Sequence, residues 1–299
     1  MRPLSSFFGA GFGAAGIGGE EHFHGGIGPL LPGAFHVDFP NYYRNPWGFT
    51  REEDVDAECL RQIEHVLKRE PEMSAVIGEP ISASPVIPSE RYWEGVRSLC
   101  DRHGALLIFD EIIEGFGRTG EMFACEHFVT PDVLVLGKSL GGGLLPFAGI
   151  VTHEKFNTLP HRSIGHYTHE KNALCATAAL AEIEVIETRR LVEHSARLGA
   201  YTLRRLNEMK ERHPLIGHVA GLGLHLGIDL VKDRTTKERA VDEAEIVMFK
   251  CLERGLSFKT IDGNILTLRP ALVITQEEMD RALDILEQTI GEVEKGGTY

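Results

Sequence analysis

The chain has 299 residues, enough for two domains with a substantial hydrophobic core. Its formal net charge is −13 and it contains no Lys/Arg-rich run, which argues against nucleic acid and against an anionic membrane surface as partners. The five cysteines are scattered without a CxxC pair, so the sequence predicts a cytoplasmic protein with reduced thiols. No apolar run approaches the length that a membrane-spanning helix needs.

Residues 1–50 are rich in glycine and are predicted to form loops. The glycine runs stand in no strand–GxGxxG–helix context and precede no Gly-Lys-Ser/Thr sequence, so they do not predict a nucleotide phosphate loop. The closest histidine pairs, His22 with His24 and His166 with His169, lie in loop-like sequence and lack the ligand spacing of a metal site. We therefore predict a protein without a metal site.

Helical and strand patterns then alternate along the chain. Apolar residues recur at helical spacing over 54–68, and a short apolar strand is predicted over 74–77. The next helix is predicted over 90–102, with Ser89 as its N-terminal cap and Gly104 as its left-handed end. Strand, helix and the following apolar run form a βαβ unit.

Two apolar runs, residues 105–109 and 132–136, do not alternate with polar residues and are typical of parallel strands buried on both faces. Asp110 is the first charged residue after the first run, and Lys138 is the first after the second. Ligands of open α/β sheets bind at the carboxyl ends of such strands, so both side chains are expected in one crevice. Pyridoxal phosphate needs a lysine for a Schiff base and an aspartate that keeps its ring nitrogen protonated. A structural ion pair at the strand ends explains the same two residues equally well.

The sequence around these two strands resembles a known family. Phe109-Asp-Glu-Ile-Ile-Glu-Gly-Phe-Gly-Arg-Thr-Gly120, followed by Leu136-Gly-Lys-Ser-Leu-Gly-Gly-Gly143, resembles the signature of the class-III pyridoxal-phosphate-dependent aminotransferases. The resemblance covers essentially the whole chain. It implies an α/β fold of type I, with a mostly parallel sheet and helices on both faces in a large domain, and a small α/β C-terminal domain. It also implies pyridoxal 5'-phosphate as cofactor, and an amine or amino acid and a keto acid as substrates.

The resemblance also implies roles for five residues. Lys138 would hold the cofactor as a Schiff base and then carry a proton as general base, while Asp110 pairs with the ring nitrogen. Ile112 would pack against a face of the ring, and Glu79, in Glu79-Pro-Ile, would lie near the ring. Thr168 matches a family threonine that binds the cofactor phosphate of the other subunit, which implies a homodimer. The residues alone are also compatible with solvated loop positions for Glu79 and Thr168.

The chain departs from the family pattern at positions that concern the ring and the substrate. Ile113 stands where a Gln commonly hydrogen-bonds the ring hydroxyl. Ser84 and Thr267 stand where members that use 2-oxoglutarate carry a Glu and the Arg that binds the substrate α-carboxylate. Arg269 shares a strand face with Thr267 and is an alternative carboxylate ligand. We expect as substrate an ω-amine, a phosphonate- or phosphate-bearing amine, or an amino acid that is held in another way.

The remaining pattern predicts the rest of the large domain and a small domain. A long helical pattern continues into a linking helix, and Arg118 is expected to be structural, bridging loops near a subunit interface. We divide the chain into a pyridoxal-phosphate-binding large domain of residues 1–190, incomplete at its N-terminus, and a linking helix with a small domain, residues 191–299. The predicted elements after Lys138 are a strand over 146–151, a continuous helical pattern over 174–209, a strand over 222–231, a helix over 242–254, a strand over 264–268, and a final helix with Thr275 and Glu278 as its capping box.

Full-length members of the family carry a further block upstream, and the same resemblance implies that this chain lacks it. That block supplies the first strand and helix of the large domain, the Ser/Gly-rich loop that holds the cofactor phosphate, and an aromatic residue that stacks on the ring. We interpret the chain as an N-terminally shortened member. Because the phosphate would lose several charge-assisted hydrogen bonds, we expect the chain alone to bind the cofactor poorly.

Three interpretations of function follow. The first is an aminotransferase that moves an amino group between an amine or amino acid and a keto acid. The second is an amino-acid racemase/epimerase or an ammonia-lyase of the same family, which would turn over without a keto acid. The third is a catalytically inactive fragment that lacks the phosphate-binding loop.

Overall fold

The computed structural model describes residues 2–3, 6–20, 23, 25, 26, 28, 32–162, 165 and 167–296. The chain forms two compact units. Our division of the chain into domains of residues 1–190 and 191–299 remains a prediction from the sequence. The first unit comprises Met1–Pro80, Pro88–Phe116 and Phe123–Thr188, and the second comprises Ile81–Ile87, Gly117–Met122 and Arg189–Tyr299.

The N-terminal region of the first unit contains little regular structure among its described residues, as the glycine content predicts. Two short strands pair in parallel, and one short helix lies between them in the sequence. These elements are β1 (Arg2–Pro3), α1 (Phe12–Ile17) and β2 (His36–Val37).

The main sheet of the first unit has four strands in the order β3–β4–β5–β6, which are β3 (Ala75–Gly78), β4 (Leu106–Asp110), β5 (Val133–Leu136) and β6 (Gly149–Thr152). Strands β3, β4 and β5 are parallel, and β6 is antiparallel to β5. Leu107 and Phe109 are fully buried, as expected for a strand inside a parallel sheet. The predicted strands and the mostly parallel sheet are confirmed.

Among its described residues, the first unit also contains three longer helices, which are α2 (Glu52–Arg69), α3 (Glu90–His103) and α4 (Ala173–Thr188). Helix α3 begins and ends as predicted, because the Ser89 hydroxyl accepts a hydrogen bond from the Tyr92 N–H and Gly104 has a φ of 68°. Helices α2 and α3 pack closely, since a Cβ on Gly95 would lie 2.6 Å from a methyl carbon of Leu60. Two short 3₁₀ helices, Ala124–His127 and Glu154–Phe156, lie in the connections.

The helical pattern that we predicted as continuous over 174–209 is interrupted. Helix α4 ends at Thr188, and a second helix, α5 (Leu191–Arg212), begins three residues later in the second unit. The break lies at Arg190, whose φ of 52° is left-handed and therefore incompatible with continuing an α-helix. A single left-handed residue leaves no trace in an apolar periodicity, which is why the pattern alone predicted one helix.

The second unit contains an antiparallel sheet in the order β10–β11–β8–β7, with β9 paired to β8. Most of the predicted strand over 222–231 is confirmed as β8 (His225–Asp233), but Leu222 belongs to a preceding strand that the sequence did not predict. The two strands form a hairpin and are joined at Gly223, which has a φ of 56°. The first strand of the hairpin, Ile-Gly-His-Val-Ala-Gly-Leu, carries two glycines and few β-branched residues, so its sequence gives a weak strand signal. The strands are β7 (Ile216–Leu222), β8 (His225–Asp233), β9 (Glu238–Arg239), β10 (Lys259–Ile261) and β11 (Ile265–Leu268).

Helices α5, α6 (Val241–Glu253) and α7 (Gln276–Glu294) complete the second unit. The predicted capping box of α7 is confirmed, with the Thr275 hydroxyl accepting from the Glu278 N–H and the Glu278 carboxylate accepting from the Thr275 N–H. The buried face of α7 joins residues of α5, α6 and β8 in one apolar core; its members on α7 are Met279, Leu283, Leu286, Ile290 and Val293.

Candidate active site

The carboxyl ends of β3, β4 and β5 bring three ionisable side chains to one edge of the sheet. The register pairs Gly78 with Phe109 and Asp110 with Val135, so the three strands end at nearly the same level. Glu79 follows the last residue of β3, Asp110 is the last residue of β4, and Lys138 lies two residues after β5. This is the arrangement that the two apolar runs predict.

Asp110 is almost completely buried, with 5% of its surface exposed. The Ile112 N–H donates a hydrogen bond of 3.0 Å to its Oδ1. Burial raises the pKa of Asp110 above its ordinary value, and the Ile112 N–H and the positive charge of Lys138 act in the opposite direction. A cationic or proton-donating partner at this carboxyl group would favour its ionised form.

Lys138 is exposed and has a φ of 48°, a conformation that non-glycine residues seldom adopt. It lies in a tight turn that the Leu140 N–H closes by donating to the Gly137 carbonyl at 3.1 Å. Ile112 packs beside this turn, since a Cβ on Gly137 would lie 3.5 Å from the Ile112 Cγ1. The structure thus brings the predicted Asp110, Ile112 and Lys138 together.

Glu79 is buried, with 5% of its surface exposed, so it is not a solvated loop residue in this fold. The backbone next to it is fixed, because the Trp93 indole N–H donates 3.0 Å to the carbonyl of Pro80. The Trp93 ring in turn packs edge-on against Phe109, with the ring centroids 4.5 Å apart. The core of the first unit therefore holds the strand end that carries Glu79.

Thr168 is exposed and lies in a turn before α4. Within the described part of the chain, no hydrogen bond joins it to Asp110 or Lys138. Its assignment to the cofactor phosphate remains a prediction, and the neighbouring His166 lies outside the described residues.

Glu111 is a buried acid next to the site that the sequence did not single out. Its two carboxylate oxygens accept hydrogen bonds from the N–H groups of Ala124 and Cys125, at 2.6 and 2.7 Å. Burial raises the pKa of Glu111 to about 7, against the effect of these two N–H donors. Because its partners lie 13 and 14 residues further along the chain, only the folded loop reveals its role.

Glu182 is a second acid that sequence reasoning missed. From α4, its Oε2 accepts hydrogen bonds of 2.9 Å from the N–H groups of Gly141 and Gly142, in the glycine-rich segment after Lys138. A glutamate on a helix gives no local signal for such a contact.

The second unit contains the other residues that the sequence analysis discussed. Arg118 donates to the carbonyls of Leu224 at 3.3 Å and Pro270 at 2.5 Å, which supports its predicted structural role within this unit. Burial and the neighbouring charge of Arg269 lower the pKa of Arg118 to about 10.

Thr267 and Arg269, the two residues considered for carboxylate binding, both make contacts inside the second unit. Thr267 is buried and donates to the Lys259 carbonyl at 2.8 Å, a bond between neighbouring strands. Arg269 donates to the carbonyl of Ala83, which precedes Ser84. Ser84 and Thr267, the two residues that depart from the family pattern, therefore lie close to the two ends of this hydrogen bond in the sequence.

The described residues contain no group of three or more His, Cys, Asp or Glu side chains arranged to hold a metal ion. Of the two histidine pairs, His22, His24 and His166 lie outside the described residues. Among the helices that the structure describes, none is both long and apolar enough to cross a membrane.

Comparison with known proteins identifies the family. The model of the class-III aminotransferases matches residues 3–290. The chain is 40% identical, over 98% of its length, to the (R)-1-hydroxy-2-aminoethylphosphonate ammonia-lyase of Vibrio splendidus, and it covers 64% of that protein. It is 41% identical, over 99% of its length, to the leucine/methionine racemase of Thermococcus litoralis, and it covers 68% of that protein.

Among solved structures, an amine transaminase from an uncultivated Pseudomonas species in its pyridoxal-phosphate-bound form matches with a TM-score of 0.91 and 30% identity. The match covers 97% of this chain and 68% of that one. The chain belongs to the class-III aminotransferase family of pyridoxal-phosphate-dependent enzymes. The predicted family, fold class and cofactor are confirmed at this level. The chain spans 64% and 68% of the two curated relatives.

The residues at the edge of the first sheet fit pyridoxal phosphate. The cofactor offers a protonated ring nitrogen, and the buried carboxyl of Asp110 can accept its hydrogen bond. It also offers an aldehyde, and the exposed Lys138 is a primary amine at the adjacent strand end. Ile112, packed beside Gly137, adds an apolar surface of the kind that a flat ring requires.

Proposed function

We propose that the protein is a pyridoxal-phosphate-dependent transaminase that moves an amino group between an amine or amino acid and a keto acid. One observation carries the proposal. The amine of Lys138 and the buried carboxyl of Asp110 lie at the ends of adjacent parallel strands, close enough for the Lys138 charge to lower the pKa of Asp110. This is the pair of groups that the family's cofactor requires.

The roles of the residues follow from their surroundings. When bound, pyridoxal phosphate supplies a carbon that links covalently to amines and a ring that accepts electrons from the substrate α-carbon. Lys138 Nζ would hold the cofactor and, when displaced, would carry a proton to and from the substrate. Asp110 would accept a hydrogen bond from the ring nitrogen and so favour its protonated form. Ile112 would offer an apolar surface to the ring, and Glu79, buried at the next strand end, would lie near it.

The substrate proposal rests on two residues of the second unit. The family acts on amines or amino acids and on keto acids. Thr267 stands where 2-oxoglutarate-using members carry their carboxylate-binding arginine, and its hydroxyl is bonded within the sheet. We therefore propose a substrate that is not held by that arginine, either an ω-amine or a small amine with a phosphonate or phosphate group.

Assembly and location complete the proposal. We propose a homodimer in which Thr168 acts on the cofactor phosphate across the interface, which its exposed position in a turn permits. We also propose a cytoplasmic location, supported by the five cysteines, all of which are free thiols.

The test is an absorbance titration of the purified chain with pyridoxal phosphate, alongside Lys138→Ala and Lys138→Arg. Borohydride reduction followed by peptide mass spectrometry then locates the adduct. Because the chain is expected to bind the cofactor weakly, we expect an absorbance band that saturates only at high cofactor concentration and a pyridoxyl group on Lys138, both lost in the alanine variant, and keto-acid-dependent turnover of an amine. A band that is unchanged in Lys138→Ala would contradict the proposal.

A second candidate is an ammonia-lyase or racemase of the same family. The observation that favours it is the identity of 40% and 41% to an ammonia-lyase and a racemase. The same proton-carrying lysine serves these reactions, and neither consumes a keto acid. Turnover of a phosphonate-bearing amine or an amino acid in the absence of any keto acid, and abolished by Lys138→Ala, would favour it over transamination.

A further inference from the structure

Glu182 contacts the segment that carries Lys138. A single carboxylate oxygen, Oε2, accepts from the N–H of Gly141 and from the N–H of Gly142, both at 2.9 Å. Glu182 lies on α4, about forty residues further along the chain. Two N–H donors on one carboxylate oxygen form a charge-assisted contact, which is stronger than a neutral hydrogen bond.

The segment from Gly137 to Leu145 is a succession of tight turns without a helix or strand. The Leu140 N–H donates to the Gly137 carbonyl at 3.1 Å, the Gly142 N–H to the Ser139 carbonyl at 2.8 Å, and the Leu145 N–H to the Gly141 carbonyl at 3.2 Å. Each of these bonds is local. The contact from Glu182 ties the turns to a helix.

The glycines in this segment are required by its geometry and leave it flexible. Gly141 has a φ of 122°, and a Cβ there would lie 2.2 Å from the Leu145 carbonyl oxygen. Gly142 and Gly143 have φ values of 68° and 69°. Three successive glycines lose more conformational entropy on ordering than other residues, so a segment of this kind needs an external contact to hold one conformation.

Lys138 depends on this segment. Its φ of 48° is unfavourable for a residue with a Cβ, and such conformations persist where the surrounding structure fixes them. The turn that holds Lys138 ends at Leu140, and the next turn begins at Ser139 and contains Gly141. The two turns overlap, so fixing Gly141 and Gly142 limits the movement of the Lys138 backbone.

We propose that Glu182 is a positioning residue for Lys138. Its carboxylate fixes the glycine turns, and the fixed turns hold the Lys138 backbone so that the amine stays at the carboxyl end of β5. The importance of this for catalysis rests on the proposed function, in which Lys138 is the cofactor lysine. The effect of the Glu182 contact on the glycine turns and on the Lys138 backbone does not require the cofactor.

The experiment compares wild type with Glu182→Ala, Glu182→Gln and a control, Glu184→Ala, which removes an exposed carboxylate from the same helix. Amide hydrogen exchange is measured at Gly141 and Gly142, together with the backbone chemical shifts of Lys138 that report its positive φ. Circular dichroism and the urea midpoint establish that each variant is folded.

We expect exchange at Gly141 to accelerate about fivefold or more in Glu182→Ala, less in Glu182→Gln, which keeps one acceptor oxygen, and not in Glu184→Ala. Exchange at Gly142 should accelerate less, because its N–H also donates to the Ser139 carbonyl at 2.8 Å. The Lys138 shifts should move away from their positive-φ values in the same order. With pyridoxal phosphate, the rate of covalent adduct formation on Lys138 should fall by a similar factor in Glu182→Ala.

Two results would overturn the proposal. One is unchanged exchange at Gly141 and Gly142 in Glu182→Ala, which would mean that the contact does not hold the turns. The other is accelerated exchange with unchanged Lys138 shifts, which would mean that the turns do not position the lysine. If wild type forms no adduct on Lys138, the proposed function fails, while the exchange and shift data still decide the role of Glu182.

Discussion

The Ile112 N–H donates a hydrogen bond of 3.0 Å to the Oδ1 of Asp110, two residues earlier in the chain. The bond fixes the orientation of a carboxyl that is otherwise surrounded by the protein core. It favours the ionised form, as the charge of Lys138 does, while burial favours the neutral form. The Ile112 N–H therefore orients the Asp110 carboxylate so that it can accept a hydrogen bond from a charged ring nitrogen.

The first prediction concerns the charge of Asp110. In Asp110→Asn the side-chain oxygen still accepts from the Ile112 N–H, but the negative charge is lost. We expect adduct formation on Lys138 to persist and turnover of the best amine to fall by about 100-fold or more, because the protonated ring loses its ionic partner. Stopped-flow absorbance and steady-state kinetics measure the two effects. Unimpaired turnover in a folded variant would show that Asp110 is only structural.

The second prediction concerns the pH dependence of stability at Glu111. Burial raises its pKa to about 7 from an ordinary value of 4.5. Between these values the folded state binds more protons than the unfolded state, so the free energy of unfolding falls as pH rises. Glutamine does not ionise in this range. From about pH 4 to about pH 8, wild type should therefore lose up to about 3 kcal/mol relative to Glu111→Gln.

Urea unfolding at both pH values measures this difference. Glu121→Gln, at an exposed position nearby, serves as the control and should show the pH dependence of the wild type. A parallel pH dependence of wild type and Glu111→Gln would mean that the buried carboxyl has an ordinary pKa.

The third prediction concerns a buried network that joins the N-terminal region to α2 and α3. The Tyr42 hydroxyl donates a hydrogen bond of 2.7 Å to Asp56 and accepts one of 2.7 Å from the Ser89 N–H, and Asp56 is 1% exposed. Tyr42→Phe removes one hydrogen bond from Asp56 and one from the Ser89 N–H, so it should lower the free energy of unfolding by about 1–3 kcal/mol. Tyr167→Phe, at a position that is 71% exposed, should have no measurable effect. Equal urea midpoints for the two variants would contradict the importance of the network.

The fourth prediction compares two helical glycines of the second unit. A Cβ on Gly199 of α5 would lie 2.1 Å from the Gly223 carbonyl oxygen, whereas a Cβ on Gly291 of α7 would meet only the His213 ring, at 3.4 Å. Gly199→Ala should destabilise by about 2 kcal/mol or more, since backbone must move. Gly291→Ala should be neutral or stabilising by up to about 1 kcal/mol, from helix propensity. Thermal and urea unfolding give both values, and a tolerated Gly199→Ala would refute the close approach.

The elements that the sequence predicted well are those with strong local signals. The runs ending at Asp110 and before Lys138 are continuous, apolar and short, and they are bounded by Gly and Asp, which favours buried strands over helices. The Ser89 cap, the Gly104 end and the Thr275–Glu278 capping box are also local, because each is satisfied within a few residues. The strand predicted over 222–231 began three residues too early, because a two-residue turn at Gly223 separates Leu222 from His225 in a stretch whose composition looks uniform.

The residues of the candidate site also form two groups, those that local sequence predicts and those that only the folded structure reveals. The sequence by itself determined the two strand ends, and hence the positions of Asp110 and Lys138, because each residue closely follows a continuous apolar run. Ile112 was assigned through the family resemblance. Only the tertiary structure decided which other acids belong there. Glu111 meets the Ala124 and Cys125 amides, and Glu182 meets Gly141 and Gly142, across 13 to 41 residues of chain. A carboxylate on a helix or loop has many possible partners, and the packing of the whole unit selects the amides that it binds.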